Sequence, residues 1–347
     1  MKKRDAIKYP APYVSKERKG RKKSIYELLE EEVMASDMPL EEKNERLSGL
    51  IKARGRKVNI LFAGATGAGK SSTINALFNM DVAEVGVGVD PETDSIDMYE
   101  LENLVIWDTP GLGDGIDSDT EYSELIRKKL SETDENGDSL IDLVMVILDA
   151  SSKDLGTSYD LINKVIIPCL DADTEGRLLI GLNQSDVAMK GKHWDDDKNE
   201  PDAVLLDHLK KKTASVARRI KEATGVEVDP VFYAAGYKEA DGEQCSPYNL
   251  TKLLYYIVKS IPEDKRLSLV SNINEDEENW MYDDAEEDYK EETRRSFFSV
   301  VRENISEMSD AFDFIGEYVL GVPGKYIGKA VGGALGAVCG VLLAVCE

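Results

Sequence analysis

The sequence predicts an α/β fold with a mostly parallel β-sheet, helices on both faces of the sheet, and helical extensions at both ends. Apolar, β-prone runs alternate with helical patterns between about residues 58 and 261. A glycine-rich loop follows the first of these runs, and short polar motifs follow later ones. Such alternation is typical of parallel sheets, and ligands of such sheets bind beyond the carboxyl ends of the strands.

The central region is predicted to contain six strands and five helices. The predicted strands are 58–63, 95–100, 104–107, 143–148, 178–182 and 231–234. The predicted helices are 71–78, 121–131, 158–170, 202–224 and 247–260. Every polar motif described below follows one of the predicted strands, so we expect the motifs to meet at one edge of the sheet.

The loop 64–71 fits the G-x-x-x-x-G-K-[S/T] phosphate-binding pattern at every fixed position. Glycines allow backbone N–H groups to surround a phosphate, and the following helix N-terminus adds partial positive charge. Lys70 would reach the terminal phosphates, and the Ser71 hydroxyl would bind Mg²⁺. A plain strand–turn–helix connection is the alternative. The candidate nucleotide-binding residues here are Gly64, Ala65, Gly67, Ala68, Gly69, Lys70, Ser71 and Ser72.

Two further segments provide candidates for sensing the last phosphate and holding the metal. Asp108 opens a D-x-x-G motif directly after a predicted strand, where it can hold a water on Mg²⁺. The Gly111 backbone N–H can contact a γ-phosphate. Between this motif and the first loop, Thr93 can close onto Mg²⁺ when a third phosphate is present. Alternatively, Thr93 belongs to an ordinary loop and caps the next strand.

An N-x-x-D motif, Asn183 to Asp186, follows the fifth predicted strand. The Asp186 carboxylate can accept hydrogen bonds from both N1–H and the 2-amino group of guanine, a donor pair that adenine lacks. Asn183 would brace the loop and contact the base. After the last strand, the Ala235 N–H could meet the guanine O6. These three residues predict guanine selectivity.

Over about residues 57–262, these motifs resemble the P-loop GTPases related to translation factors and Ras. The sequence is most similar to the Era/septin-like branch, which includes bacterial GTPases often described as ribosome-binding. This resemblance implies a Ras-like GTPase (G) domain that binds Mg²⁺ with GTP or GDP, hydrolyses GTP slowly and acts as a nucleotide-state switch. It places Lys70, Thr93 and Gly111 at the reacting phosphate, and Ser71, Thr93 and Asp108 at the metal.

The sequence departs from this family's pattern at four positions. Gln184 replaces a Lys that packs over the base, so guanine affinity would be modest. Ala234 replaces a loop-bracing Ser, and Gly67 replaces the Asn of potassium-activated relatives. Leu112 stands where Ras-like members carry a Gln that orients water, and a Leu cannot do this. We therefore expect slow intrinsic turnover that relies on the Mg²⁺, the switch loop, or a group supplied by a partner or a second protomer.

Composition favours a large soluble protein in a reducing setting. The chain has 347 residues, 42% of them hydrophobic, and a formal net charge of −24, which argues against nucleic-acid binding by the whole surface. Four scattered cysteines show no C-x-x-C spacing, so we expect neither zinc nor disulfides. The basic N-terminus lacks a following apolar run and does not resemble a secretory signal. We expect a cytoplasmic protein.

Two N-terminal segments precede the G domain. Residues 1–23 carry ten Lys/Arg and only two acidic residues, and we interpret them as a flexible basic arm. The arm is either simply solvated or an electrostatic tether to RNA, a ribosome, an acidic partner or anionic lipid. Residues 24–56 are predicted to form two helices that pack on the G domain, the first opening with a capping box from Ser24 to Glu27.

Three C-terminal features follow the G domain. Residues 263–292 contain an acidic run that we interpret as a solvated linker, or alternatively as a docking strip for the basic arm. Residues 293–347 are predicted to be helical, with an apolar stripe from Phe297 that packs on the G domain or on a second copy. Within residues 324–346, glycines recur every fourth position and the charge-free part spans 17 residues. This tail favours membrane contact, or tight helix packing in a hairpin or homodimer.

Overall fold

The computed structural model describes residues 24–78, 80, 96–112, 116–170, 174–236 and 245–304. Within these ranges, no helix is both long and apolar enough to cross a bilayer. The basic arm 1–23, the candidate switch residue Thr93 and the glycine-repeat tail 324–346 lie outside the described residues.

The centre of the fold is a six-stranded sheet in the order β2-β3-β1-β4-β5-β8. All neighbouring pairs are parallel except β2 and β3. A separate two-stranded hairpin, which the sequence did not predict, pairs β6 with β7. The strands are β1 (Val58–Gly64), β2 (Asp97–Glu100), β3 (Leu104–Asp108), β4 (Leu143–Asp149), β5 (Leu178–Asn183), β6 (Trp194–Asp195), β7 (Glu200–Pro201) and β8 (Val231–Phe232).

Helices cover both faces of this sheet, as predicted. Each central helix lies within a few residues of its predicted bounds, and α5 runs through a π-helical turn, Ile162–Ile166, into α6. The helices are α1 (Ile25–Ala35), α2 (Leu40–Arg54), α3 (Lys70–Leu77), α4 (Ile116–Leu130), α5 (Gly156–Leu161), α6 (Ile167–Leu170), α7 (Thr174–Arg177), α8 (Ala203–Thr224), α9 (Leu250–Ser260), α10 (Leu267–Val270) and α11 (Tyr289–Asn304).

Strand β1 shows why both faces must be covered. All seven of its residues are buried. Because side chains alternate along a strand, Ile60 and Phe62 enter one hydrophobic core, whereas Leu61 and Ala63 enter the other. The first core also contains residues of α1, α3, α9 and α11, and the second those of α4, α5 and α8. The α/β fold class predicted from the sequence is therefore confirmed.

The N-terminal helices pack into the first core. Helix α1 begins with the capping box, in which Ser24 Oγ accepts from the Glu27 N–H at 3.2 Å and the Ser24 N–H donates to the Glu27 carboxylate at 3.0 Å. The Tyr26 hydroxyl lies 3.0 Å from Ser268 Oγ, which joins α1 to the segment after the sheet. The hydroxyl contact links α1 to α10, 242 positions further along the chain.

The acidic segment 263–292 differs from the solvated linker that we expected. Trp280 is only 1% exposed and lies in the first core, and its indole N–H donates to the Asn274 carbonyl at 2.9 Å. Lys252 of α9 forms ion pairs with Asp284 at 2.7 Å and Glu286 at 2.8 Å. The acidic composition concealed the few apolar and paired residues that attach this segment to the domain.

The same segment caps the carboxyl end of α3, the helix that follows the glycine-rich loop. The last carbonyls of a helix lack partners within that helix. Here the Asn274 N–H donates to the Leu77 carbonyl at 2.9 Å, and the Asn274 side-chain amide donates to the Asn75 carbonyl at 2.9 Å. The Asn279 amide donates to the Ala76 carbonyl at 3.2 Å. The segment therefore stabilises an eight-residue helix that is too short to be stable alone.

Replacing Trp280 with Ala should reduce the free energy of unfolding by about 3–5 kcal/mol, because a large buried side chain is lost and a cavity remains. Urea denaturation followed by circular dichroism measures this change. The neighbouring Met281 is 61% exposed, so Met281→Ala is the matched control and should change stability by less than about 0.5 kcal/mol. If Trp280→Ala lowered the free energy of unfolding as little as Met281→Ala does, the segment would be a linker as first expected.

Candidate functional site

The glycine-rich loop connects β1 directly to α3. Gly67 has φ 75° and Gly69 has φ 85°, in the left-handed region that glycine adopts without strain. Helix α3 begins at Lys70, whose ammonium donates to the Gly64 carbonyl at 3.3 Å. Ser71 and Ser72 occupy the first turn of α3, so the loop backbone and the helix N-terminus form the geometry that binds phosphate.

Two glycines in this region are required by close approaches of other motifs. A Cβ on Gly69 would lie 2.2 Å from the side-chain nitrogen of Asn183, and a Cβ on Gly111 would lie 2.2 Å from the Thr66 hydroxyl. Neither distance is possible for real atoms, so larger residues would displace one motif from another. The D-x-x-G and N-x-x-D motifs therefore both touch the glycine-rich loop.

Backbone hydrogen bonds fix the D-x-x-G segment against this loop. The Thr109 N–H donates to the Phe62 carbonyl at 3.1 Å, the Leu112 N–H donates to the Gly64 carbonyl at 3.3 Å, and the Thr66 N–H donates to the Leu112 carbonyl at 2.9 Å. The Leu112 side chain is 3% exposed and lies in the second core. Leu112 thus joins two loops through its backbone and points its side chain away from solvent.

Asp108, the last residue of β3, has an unusual environment. Burial and the nearby Asp97 raise the pKa of its carboxyl group to about 6, although the Lys70 ammonium and the Ser71 hydroxyl partly oppose this rise. Its Oδ1 atom is buried and has no hydrogen-bond partner among the described residues. A buried, unpartnered acceptor beside Lys70 and Ser71 fits a site for a hydrated divalent cation.

On the other side of the site, Asn183 connects three loops: the glycine-rich loop, its own N-x-x-D loop and the loop after β8. Its side-chain amide donates to the Ala68 carbonyl at 3.0 Å, and its Oδ1 accepts from the Ala235 N–H at 2.9 Å. Gln184, which departs from the family pattern, donates its side-chain amide to the Gly67 carbonyl at 2.7 Å. Gln184 therefore braces the glycine-rich loop directly, a role that sequence reasoning did not foresee.

The Ala235 N–H has a partner within the protein that we did not predict. It donates to Asn183, so Ala235 positions the N-x-x-D loop, and its contact with a guanine O6 stays a prediction. The absence of a Ser at position 234 is offset by backbone pairing, because Ala234 and Tyr248 exchange N–H···O bonds of 3.0 and 2.9 Å. The backbone thus holds this loop without the hydroxyl.

Asp186 lies at the end of the N-x-x-D loop and is partly exposed. Burial raises the pKa of its carboxyl group, while the backbone N–H groups of Asp186 and Val187 lower it. The preceding Ser185 is fully buried, and its N–H donates to the Tyr233 carbonyl at 3.2 Å. The loop is thus fixed at Ser185 and presents the Asp186 carboxylate at the carboxyl edge of the sheet.

A buried hydroxyl pair provides one further link that the sequence did not reveal. The Thr73 hydroxyl donates to the Gly69 carbonyl at 2.7 Å and lies 2.8 Å from the Tyr233 hydroxyl. Burial raises the pKa of Tyr233, so its hydroxyl stays protonated at neutral pH. Tyr233 follows β8, three strands away from β1 in the sheet, so only the folded arrangement shows that it supports α3.

The structure therefore brings together the glycine-rich loop, the D-x-x-G motif, the N-x-x-D motif and the loop after β8. Thr93 lies outside the described residues, so its predicted contact with the metal remains a prediction. A parallel α/β sheet with these four motifs at its carboxyl edge is a P-loop GTPase domain.

Comparison with known proteins supports this class. Residues 59–183 match the model of a family described as 50S ribosome-binding GTPase. A curated relative, the uncharacterized protein YfjP of Escherichia coli (strain K12), is 32% identical over 129 residues. This alignment covers 36% of the present chain and 40% of YfjP, so the chain spans less than half the length of that relative.

Solved structures show more distant similarity. The bacterial dynamin GTPase LeoA from ETEC is 18% identical, with a TM-score of 0.39 over 80% of this chain and 46% of LeoA. Toc33 from Arabidopsis thaliana, in complex with Mg²⁺ and GMPPNP, is 15% identical, with a TM-score of 0.39 over 70% of this chain and 98% of Toc33. Similarity at this level says nothing about function.

Replacing Gly69 with Ala should abolish detectable binding of fluorescent GDP, because the new Cβ would collide with Asn183 and separate the phosphate loop from the N-x-x-D loop. Gly137→Ala is the matched control. Gly137 also has positive φ, 88°, but a Cβ added there would have no neighbouring atom within 4 Å. The control carries the same backbone strain of about 1 kcal/mol and should keep its GDP affinity. Loss of binding in both variants would indicate general destabilisation instead.

Proposed function

We propose that this protein binds GTP and GDP with Mg²⁺, hydrolyses GTP slowly and acts as a nucleotide-state switch. The observation that carries the proposal is the Asn183 bridge, which joins the phosphate loop at Ala68 to the loop after β8 at Ala235. One rigid unit would therefore present both the phosphate-binding backbone and the Asp186 carboxylate. The family match over residues 59–183 supports the coarser part of the proposal, a GTP-binding GTPase domain.

The residues divide by the part of the nucleotide that they would hold. The backbone of residues 64–72 would surround the phosphates, with Lys70 contacting the terminal ones. Gly111 would sense the γ-phosphate through its N–H. Asp186 would accept the two guanine donors, while Asn183 and Ala235 would keep its loop in place. Thr93 completes the proposal as the sensor of the third phosphate.

The environment of Asp108 fits the magnesium ion that such nucleotides carry. Ser71 and Thr93 would bind the ion directly, and Asp108 would hold one of its waters, because its buried Oδ1 needs a donor. When bound, Mg²⁺ neutralises charge on the phosphate oxygens. The ordinary pKa of an aspartate is near 4, whereas that of Asp108 is raised to about 6 without the ion, so at lower pH a proton would compete with Mg²⁺ for this site.

Slow hydrolysis follows from the position of Leu112. Its side chain is buried in the second core, so this position offers no polar group to orient a water for attack. Hydrolysis would then rely on the Mg²⁺, on the switch loop, or on a group from a partner or a second protomer, and in the last two cases the turnover rate would depend on assembly. Formation of a homodimer through the G domain or the C-terminal helix is part of this proposal.

The target of the switch is proposed from the sequence alone. The basic arm 1–23 favours an RNA or ribosome contact, and the glycine-repeat tail 324–346 favours a membrane-associated role similar in logic to that of dynamin-like or immunity-related GTPases. A GTP-locked scaffold with negligible turnover is the third possibility. A cytoplasmic location, with or without membrane contact, fits all three.

Two deletions distinguish these targets. If the arm contacts ribosomes, deleting residues 1–23 should abolish a salt-sensitive co-sedimentation with ribosomes. If the tail contacts lipid, truncation near residue 320 should abolish a liposome flotation that survives high salt. Each deletion serves as the control for the other. A protein that neither sediments with ribosomes nor floats with liposomes would contradict both roles.

Guanine selectivity tests the proposed function itself. Asp186→Ala should weaken GDP binding by about 100-fold, because two hydrogen bonds to a charged group contribute about 3 kcal/mol or more. Binding of ADP should not change. Fluorescence titration with labelled GDP and ADP measures both affinities, and Asp197→Ala, at an exposed aspartate in the turn between β6 and β7, is the control. Unchanged GDP preference in Asp186→Ala would reject the guanine-binding role of this loop.

A further inference from the structure

A large basic cavity lies beside the sheet, outside the nucleotide site. Its volume is about 770 Å³, and it is formed by the turn after β4, the short 3₁₀ turn Ala188–Gly191 and helix α8. None of the residues that we assign to the nucleotide lines it. The basic side chains that line it are Lys153, Lys190, Lys192, His208, Lys211, Lys212 and Arg219.

The charge of this cavity is opposite to that of the chain. The whole chain has a formal net charge of −24, yet no carboxylate is among the described side chains that line the cavity. Of its cations, Lys211 is paired with Asp207 at 2.6 Å, and Arg219 lies over the Tyr159 ring at 5.5 Å. Concentrating like charges around one concave surface raises the local affinity for anions.

Lys212 and the turn after β4 form one wall of the cavity. Lys212 is half-buried, and its ammonium donates to the carbonyls of Ala150 and Ser152, the latter at 2.6 Å. Burial lowers the pKa of Lys212, whereas the nearby Asp149 raises it. These bonds fix the turn that carries Lys153, so that exposed lysine is presented by an ordered backbone.

The opposite wall contains strained backbone. Met189 and Lys190 have φ values of 54° and 65°, a conformation that costs a non-glycine residue about 1 kcal/mol or more. Two successive residues in this conformation place both side chains at the cavity. Retained strain of this kind is concentrated at ligand sites.

The floor of the cavity is apolar. Leu155, Tyr159 and Val216 line it, and Val216 is buried in the second core. Pockets of about 300–1,000 Å³ with an apolar lining and a few convergent polar groups are typical of small-molecule sites. Here the convergent groups are cations, which select phosphate oxygens.

We propose that this cavity binds a small phosphorylated molecule with an apolar or aromatic body. Lys153 and Lys190 contact the phosphate from the two walls, and the body rests on Tyr159 and its apolar neighbours. An acidic peptide would use the cations but not the apolar floor.

Calorimetry with 1-naphthyl phosphate tests this assignment on the full chain, in the presence of saturating GDP and Mg²⁺ and again without them. The double variant Lys153→Ala/Lys190→Ala should lose at least tenfold in affinity. The matched control, Lys52→Ala/Lys128→Ala, removes two exposed lysines on α2 and α4 and should stay within twofold. Inorganic phosphate and 1-naphthol should each bind at least tenfold more weakly than the combined probe.

The proposal is overturned if 1-naphthyl phosphate does not bind, if both double variants lose affinity equally, or if a hexaglutamate peptide competes as well as the probe. The same holds if inorganic phosphate alone matches the probe, because the apolar floor would then have no role. Failure to bind GDP would reject the proposed function but would leave the dependence on Lys153 and Lys190 intact, so the two failures are distinguishable.

Discussion

The arrangement of the site depends on one side chain, that of Asn183. Its amide and carbonyl groups satisfy the Ala68 carbonyl and the Ala235 N–H, so three loops from separate strands share one pair of hydrogen bonds. Asn183 is 3% exposed, and buried polar groups are costly when left without partners. The Asn183 side chain, the Ala68 carbonyl and the Ala235 N–H all have hydrogen-bond partners only when the three loops are in place. The site is therefore a cooperative unit.

This cooperation explains why some departures from the family pattern are tolerated. Gln184 donates to the Gly67 carbonyl, and Ala234 pairs with Tyr248 through the backbone alone. The Gln184 amide adds a loop contact of its own, and the backbone pairing of Ala234 takes the place of the loop-bracing Ser expected from the family pattern. Leu112 is a different case. Its side chain is buried, and the residue expected at this position from the Ras-like pattern would orient a water instead of holding a loop. The described contacts thus brace the loops at positions 184 and 234, whereas the effect of Leu112 on hydrolysis belongs to the proposed function.

The sequence predicted the strands and the loop motifs well, because both are local signals. A glycine-rich loop after an apolar run needs only adjacent residues to be recognised. The Thr73–Tyr233 hydroxyl pair, 160 positions apart, could not be predicted because neither residue belongs to a motif. The hydrogen bond from the Ala235 N–H to Asn183 was not predicted for a related reason, since a backbone donor has no sequence signature and its partner is set by the fold.

The acidic segment gives the clearest case of composition misleading the prediction. Its many carboxylates indicate solvation, yet two of them pair with Lys252, and two amides and one indole attach the segment to α3 and to the first core. Helix α3 is held at its amino end by the loop that Asn183 and Gln184 brace, and at its carboxyl end by Asn274 and Asn279. An eight-residue helix contributes little stability of its own. Its position at the phosphate site must therefore be set by contacts at both ends, and the residues that contact its carboxyl end lie beyond the region that the family motifs cover.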